Sequence, residues 1–127
     1  MSKGKLLLVE NNATFRSFLT AELSMAGYSV TDVGDTERFF KALREDYHHV
    51  ILLDTGMPKM DCVDTMNFLK QSQILSEVIV FTDNTMIENA LECIKLGAFD
   101  YMCRPYPLKK FISCVGKAME HQQSKVQ

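Results

Sequence analysis

Five polar residues of this 127-residue chain stand at the ends of short apolar runs, and their types suit one kind of chemistry. Glu10 and Asn11 follow Lys5-Leu6-Leu7-Leu8-Val9, and Asp54 follows Val50-Ile51-Leu52-Leu53. Thr82 follows Val78-Ile79-Val80-Phe81, and Arg104 follows the stretch from Phe99 to Cys103. Two carboxylates, an amide, a hydroxyl and a guanidinium brought together would suit a hard metal and a phosphoryl group. Magnesium takes oxygen ligands, usually one or two carboxylates with phosphate oxygens and water. A cation and a hydroxyl would hold the remaining phosphoryl oxygens. No His or Cys lies at these positions, which argues against a soft-metal site or a Cys/His nucleophile. Asp54 taken alone has a plainer reading, a carboxylate capping the turn at Gly56 and Pro58.

Such residues act together only if the chain carries them to one place. The runs at 5–9, 50–53 and 78–81 are short, apolar and without alternation, as in strands buried on both faces. Between them the spacing turns helical. Phe15, Phe18, Leu19, Leu23 and Ala26 form one stripe, stopped by Gly27 as a left-handed cap. Tyr28 to Asp32 reads as a strand, and Asp35 or Thr36 caps a helix with Phe39, Phe40 and Leu43 inward. Asp61 opens a helix with Val63, Met66, Phe68 and Leu69 inward. Thr85-x-x-Glu88 is a capping box for a helix with Ile87, Ala90, Leu91 and Ile94 inward, closed by Gly97. A strand from Phe99 to Cys103 leads to a last helix with Leu108, Phe111, Ile112, Val115 and Met119 on one face, fading from Gln122 onward.

Five alternations of strand and helix imply a parallel sheet covered on both faces through right-handed crossovers. No GxGxxG follows the first strand, which argues against a dinucleotide site. What remains is the flavodoxin-like doubly wound (βα)5 sandwich, sheet order 2-1-3-4-5, with its crevice outside the first and third strands. Glu10, Asn11, Asp54, Thr82 and Arg104 then converge at one end of the sheet.

Composition sets the outer bounds. The length suits one domain, and 46% hydrophobic residues can fill its core. Fourteen basic against sixteen acidic residues, net charge -2, give no nucleic-acid footprint. No apolar run reaches the roughly 18 residues of a transmembrane helix, and the N-terminus lacks a signal-peptide core. Cys62, Cys93, Cys103 and Cys114 show no CxxC spacing, so free thiols in the cytoplasm are expected. His48 and His49, at the opposite end of the central strand from Asp54, read as surface residues. Met57 and Met60 read as packing, and Phe15, Phe18, Phe39 and Phe40 as core.

The motifs Leu-Leu-Val-Glu-Asn at 7–11, Leu-Leu-Asp-Thr-Gly-Met-Pro-Lys-Met-Asp at 52–61, Val-Phe-Thr at 80–82 and Gly-Ala-Phe-Asp-Tyr-Met-Cys-Arg-Pro at 97–105 resemble, in this order, the receiver domain of two-component response regulators. The likeness runs from about Lys5 to Glu120, giving a receiver over 1–120 and a polar tail, or the start of a linker, over 121–127. The resemblance implies a phosphoacceptor rather than an enzyme in the ordinary sense. Asp54 would take a phosphoryl group from a sensor histidine kinase or phosphotransfer protein. Glu10, Asn11, Asp54 and the Gly56 carbonyl would hold magnesium. Thr82 would capture a phosphoryl oxygen, Tyr101 would be the aromatic switch, and Arg104 would stand for the family's lysine ahead of Pro105, a candidate cis proline. The output surface would be the fourth helix, fifth strand and fifth helix, over 86–119. That surface is open to a downstream effector, a homodimer or an output domain, and residues 87–101 are similar to receivers of ATP-dependent transcription activators.

Three residues depart from the family pattern, in one pocket. Asn11 brings an amide where the family has an aspartate. At an effective dielectric of 20, losing a unit charge at about 4 Å forfeits on the order of 4 kcal/mol before solvent offsets it, so a weakened magnesium site is expected. Arg104 spreads its charge over a planar fork that can grip both oxygens of Asp54. Asp83 stands where a small residue is usual and could narrow the entrance or replace the missing carboxylate. The alternative function is therefore a degenerate receiver, a phosphorylation-independent interaction module in which Glu10, Asp54 and Arg104 are a structural ion cluster. A flavin carrier is disfavoured, since no phosphate-cradling Ser/Thr/Gly loop follows the first strand.

Overall fold

A strand leaves its backbone donors and acceptors to be satisfied by a neighbour, and five strands here pair side by side. The computed structural model describes residues 2–125; Met1 and the last two residues of the expected tail, Val126 and Gln127, lie outside them. The strands are β1 (Lys5–Val9), β2 (Ser29–Val33), β3 (Val50–Asp54), β4 (Glu77–Thr82) and β5 (Asp100–Cys103). They form one parallel sheet in the order β2-β1-β3-β4-β5. The helices are α1 (Ala13–Met25), α2 (Thr36–Glu45), α3 (Cys62–Gln71), α4 (Ile87–Lys95) and α5 (Leu108–Lys125). None is long and apolar enough to cross a membrane among the described residues.

Alternate strand residues face opposite ways, and the two faces build separate cores. Leu7, Val9, Ile51, Leu53 and Val80 pack with Phe39 of α2, Met66 and Leu69 of α3 and Ala90 and Cys93 of α4. Leu6, Leu8, Leu52, Ile79 and Phe81 pack with Leu19 and Leu23 of α1 and Phe111, Val115 and Met119 of α5. All of β3 is buried, so Asp54 ends a strand with no freedom to shift.

Several expectations need correction. β2 begins at Ser29, because the Tyr28 N–H still bonds back to the Leu23 carbonyl at 3.2 Å in the turn made by Gly27, φ +106°. β5 begins at Asp100 rather than Phe99. Phe18, Phe68 and Leu91 are exposed. Phe18 stacks on Phe15 and Phe68 lies edge-on to Phe40, while Cys93 takes the inward place beside Ala90. The capping box at Thr85 does not form. Asp83 accepts the Thr85 N–H and hydroxyl, a 3-10 turn spans Asn84–Met86, and α4 starts without a side-chain cap. His48 is buried, not a surface residue, and its carbonyl takes the Ser76 hydroxyl. Helix α5 does not fade at Gln122. That residue is buried against the Tyr47 hydroxyl, and His121 and Lys125 both reach the buried Glu77 at the start of β4. All four cysteines are free.

Candidate phosphoacceptor site

Parallel pairing sets the site's levels. Val9 pairs with Leu53 and Asp54 with Phe81, so Glu10 and Asp54 leave adjacent strands side by side, with Thr82 one step beyond. The loops beyond the strand ends stay tied to the sheet. The Glu10 N–H donates to the Val33 carbonyl at 3.1 Å, the Thr55 N–H to Phe81 at 2.9 Å and the Arg104 N–H to Thr82 at 2.9 Å. The Arg104–Pro105 peptide is cis.

Glu10 is held on three sides. Arg16 of α1 donates to its carbonyl at 2.8 Å, and the Asn12 N–H donates to Oε2 at 2.9 Å. Asn12 also caps α1 through its side chain, which accepts the Phe15 N–H. The third contact is Arg104, whose Nη2 stands 3.3 Å from Glu10 Oε1 and 3.3 Å from Asp54 Oδ1. One guanidinium nitrogen thus bridges the two acids, rather than the expected two-oxygen grip on Asp54. Both carboxylates are almost fully buried, while Arg104 is about a third exposed (35%) and lies 5.9 Å from the Phe15 ring centre. Asp54 Oδ1 also accepts the Gly56 N–H at 2.9 Å, and Oδ2 accepts no hydrogen bond from any described residue.

Two buried carboxylates share one cation, and Glu10 carries the strain. Burial raises its carboxyl above the ordinary 4.5, the adjacent Asp54 raises it further, and the Asn12 N–H and Arg104 pull it down without cancelling the rise. The folded protein therefore holds the Glu10 proton at pH values where the unfolded chain has lost it. This contribution to stability is full below 4.5 and is lost as pH rises through the higher folded value. Thermal melts of wild type and Glu10→Gln across that window should show wild type losing ground to the variant as pH increases. Parallel curves would mean that Glu10 is ionised throughout.

The other predicted residues are placed differently. Asn11 is exposed and lines a separate surface pocket with Gly34, Asp35, Thr36, Pro58 and Lys59. Thr82 is fully buried; its hydroxyl donates to the Asp83 carbonyl at 3.1 Å and accepts from the Thr55 hydroxyl at 3.3 Å. Tyr101 is half-buried against the core beneath α4. Asp83 is committed to Thr85 and supplies no third carboxylate to the pocket. Two residues escaped the sequence reading. Thr55, adjoining Asp54, hydrogen-bonds the Thr82 hydroxyl. Tyr106, two residues beyond Arg104, is half-buried, with its hydroxyl fully so.

A doubly wound parallel sheet with a carboxylate pair and a cation at the ends of β1, β3 and β5 defines a flavodoxin-like fold with an acidic crevice. The family described as the response regulator receiver domain matches residues 6–115, and the chain belongs to it. It is similar to the DNA-binding transcriptional regulator NtrC of Escherichia coli, 28% identical over 127 residues, which is all of this chain and 27% of that protein. The chain thus spans about a quarter of the length of the NtrC regulators it matches. Among solved structures it is similar to the beryllofluoride-activated NtrC4 receiver domain dimer, 29% identical with TM-score 0.84 over 93% of this chain and 98% of that one. Full-length FixJ from B. japonicum shares the fold, with TM-score 0.85 at 24% identity over 99% of this chain and 64% of that one. Receiver domains are signalling modules rather than conventional enzymes; they pair with histidine kinases and typically bind magnesium.

Proposed function

We propose that this chain is a phosphoacceptor of two-component signalling in which Asp54 Oδ2 receives the phosphoryl group. The observation that carries the reading is the asymmetry of Asp54. One oxygen is engaged by Gly56 and Arg104, and the other ends a rigid buried strand with no hydrogen bond from the described residues. Attack of Oδ2 on a phosphohistidine forms an O–P bond as the N–P bond breaks, and the electron pair of that bond stays on the departing imidazole. The protein's part is positioning and charge neutralisation. Arg104 turns from the carboxylates to the new phosphoryl oxygens, and the Thr82 hydroxyl exchanges the Asp83 carbonyl for one of them. Tyr101 then follows Thr82 and changes the surface over 86–119.

Two adjacent carboxylates meet the ordinary requirement of magnesium when phosphate oxygens complete its shell, so Glu10, Asp54 and the Gly56 carbonyl fit a weak site once Arg104 has turned. Bound there, the ion would neutralise phosphoryl charge. Asn11→Asp should tighten it by about tenfold or more by restoring a charged ligand, provided the side chain turns inward from its exposed position. A sensor histidine kinase or phosphotransfer protein would be the donor, in the cytoplasm. A downstream effector, an output domain or a second copy would read the 86–119 surface, with no direct nucleic-acid contact by this domain.

Magnesium titration of wild type and Asn11→Asp, each with and without beryllofluoride and followed by amide NMR, tests the reading. Shifts that begin at Asp54 and Thr82 and spread to Tyr101 and the 86–119 surface are expected. A pocket silent to both at millimolar magnesium would favour the second reading, a phosphorylation-independent interaction module. Its specific support is the Arg104 bridge, a resident cation already occupying the space between the acids.

A further inference from the structure

Two of the cysteines meet in the core. Cys62 is the first residue of α3, directly after its Asp61 cap, and Cys93 lies near the end of α4. Both belong to the core layer between the sheet and helices α2, α3 and α4, 3% and 0% exposed, and their side chains hydrogen-bond each other. A single buried cysteine packs as a small hydrophobe. Two thiols in contact across a helix–helix interface can also bond covalently. A disulfide asks for Cβ atoms about 3.5–4.5 Å apart, and a thiol–thiol contact brings them near that range. The other two thiols, Cys103 beside Asn84 and Cys114 beside Asp100, each face an oxygen rather than a second sulfur.

The paired sulfurs are not equivalent. The bond from the Cys93 thiol, helped by the Cys62 and Val63 N–H groups, holds the Cys62 thiol below its ordinary 9.0 although burial pushes the other way. The same bond, with burial, raises Cys93. Cys62 is therefore the sulfur that reacts first, and Cys93 is the one placed to resolve it. Burial favours a small oxidant. Hydrogen peroxide has two heavy atoms and can enter through local opening of α4, a helix that starts without a side-chain cap.

We propose that Cys62 and Cys93 are a site of reversible oxidation by hydrogen peroxide, joined by it into a disulfide that staples α3 to α4. The Cys62 sulfur attacks one peroxide oxygen, so an S–O bond forms as the O–O bond breaks, and the departing hydroxide leaves as water with the Cys62 proton. The Cys93 sulfur then attacks the sulfenic sulfur. The S–S bond forms, the S–O bond breaks, and the hydroxyl leaves as water with the Cys93 proton. Two thiols are oxidised while one peroxide is reduced to two waters, and a cellular thiol reverses the bond by exchange. The inference stands apart from the phosphoacceptor reading, since no residue of the crevice takes part. Because α4 belongs to the 86–119 surface, the bond would fix part of that surface to α3.

The test exposes the whole chain to a few equivalents of hydrogen peroxide, unfolds it in excess iodoacetamide and maps it by peptide mass spectrometry. The expected product is a monomer with a Cys62–Cys93 cross-link, alkylated only at Cys103 and Cys114 and restored by dithiothreitol. It should melt about 5 °C or more above the reduced form, as for a newly closed loop, and its α4 amides should exchange more slowly. Cys103→Ser, which removes the one thiol that is not buried, should still form the cross-link. Cys93→Ala should not, and should leave on Cys62 a sulfenic acid that dimedone traps. The wild-type map decides the matter even where Cys93→Ala folds poorly. Four thiols still open to iodoacetamide after peroxide would overturn the inference. So would oxidation that begins at Cys103 or yields only cross-linked dimers, or a cross-link that lowers the melting temperature, which would mark damage to the core.

Discussion

In Asp54→Ala, phosphoryl uptake from acetyl phosphate and the amide shifts induced by beryllofluoride fall to background, while the protein melts close to wild type. The first half follows because no other carboxylate can stand in. Glu10 is pinned by Asn12 and Arg104, and Asp83 is committed to Thr85. The second half follows from the charge balance. Removing Asp54 leaves Arg104 and Glu10 as a one-to-one pair and, though burial is the larger cause of the raised Glu10 carboxyl, relieves the repulsion that adds to it. Against this stand one lost contact to a guanidinium a third exposed and a Gly56 N–H left to water. A net change within about 1 kcal/mol is expected, as for an ion pair whose cation is partly open to solvent, because the relieved repulsion offsets the lost contact. Activity lost with stability held marks a nucleophile. A loss of several kcal/mol, as when one partner of a buried ion pair is removed, would mark a structural ion and favour the module reading.

The largest loss of stability is expected at Phe81. Its side chain is fully buried, lies edge-on to Phe111 at 5.2 Å and supports Tyr106 at 6.1 Å. Its carbonyl receives the Thr55 N–H, and its register partner is Asp54. Phe81→Ala empties a space that two large rings cannot refill without breaking the helix that carries one of them. A cost of about 3–5 kcal/mol is expected, a large part of the 5–15 kcal/mol that typically separates folded from unfolded domains. Urea unfolding would read it as a lower midpoint at unchanged slope. A loss near 1 kcal/mol would show that α5 closes over the gap.

The parts of this molecule that announce themselves in sequence are those where one physical demand prevails. β1, β3 and β4 are buried on both faces, so hydrophobicity alone marks them, and the polar residue that ends each run marks the crevice. β2 is an edge strand, largely exposed, and carries no such mark. Helical spacing placed Leu19, Phe39 and Ala90 inward, where they are, but also Phe68 and Leu91, which are exposed. A stripe wide enough for two turns leaves the choice of face to the neighbouring helix. At Asp83 two caps competed for one turn, and the carboxylate took the Thr85 hydroxyl that the box required. Within the site, residue types foretold the meeting of Glu10, Asp54 and Arg104. They could not foretell that one nitrogen would bridge both acids, that Asn11 would face outward, or that the Tyr106 hydroxyl would turn in. Those outcomes depend on how far each side chain reaches across strands distant in sequence. Thr55 was legible in principle, as the residue next to Asp54.

The contacts of Glu77 with His121 and Lys125 have a mechanical meaning. An 18-residue helix is a beam about 27 Å long, and α5 is clamped at its far end, by these contacts and by Gln122 beneath it. Its near end begins at Leu108, four residues past Arg104. A push from the crevice would therefore pivot α5 about the clamp rather than slide it along its axis, with the sideways travel greatest at Leu108 and Phe111 and least near Lys125.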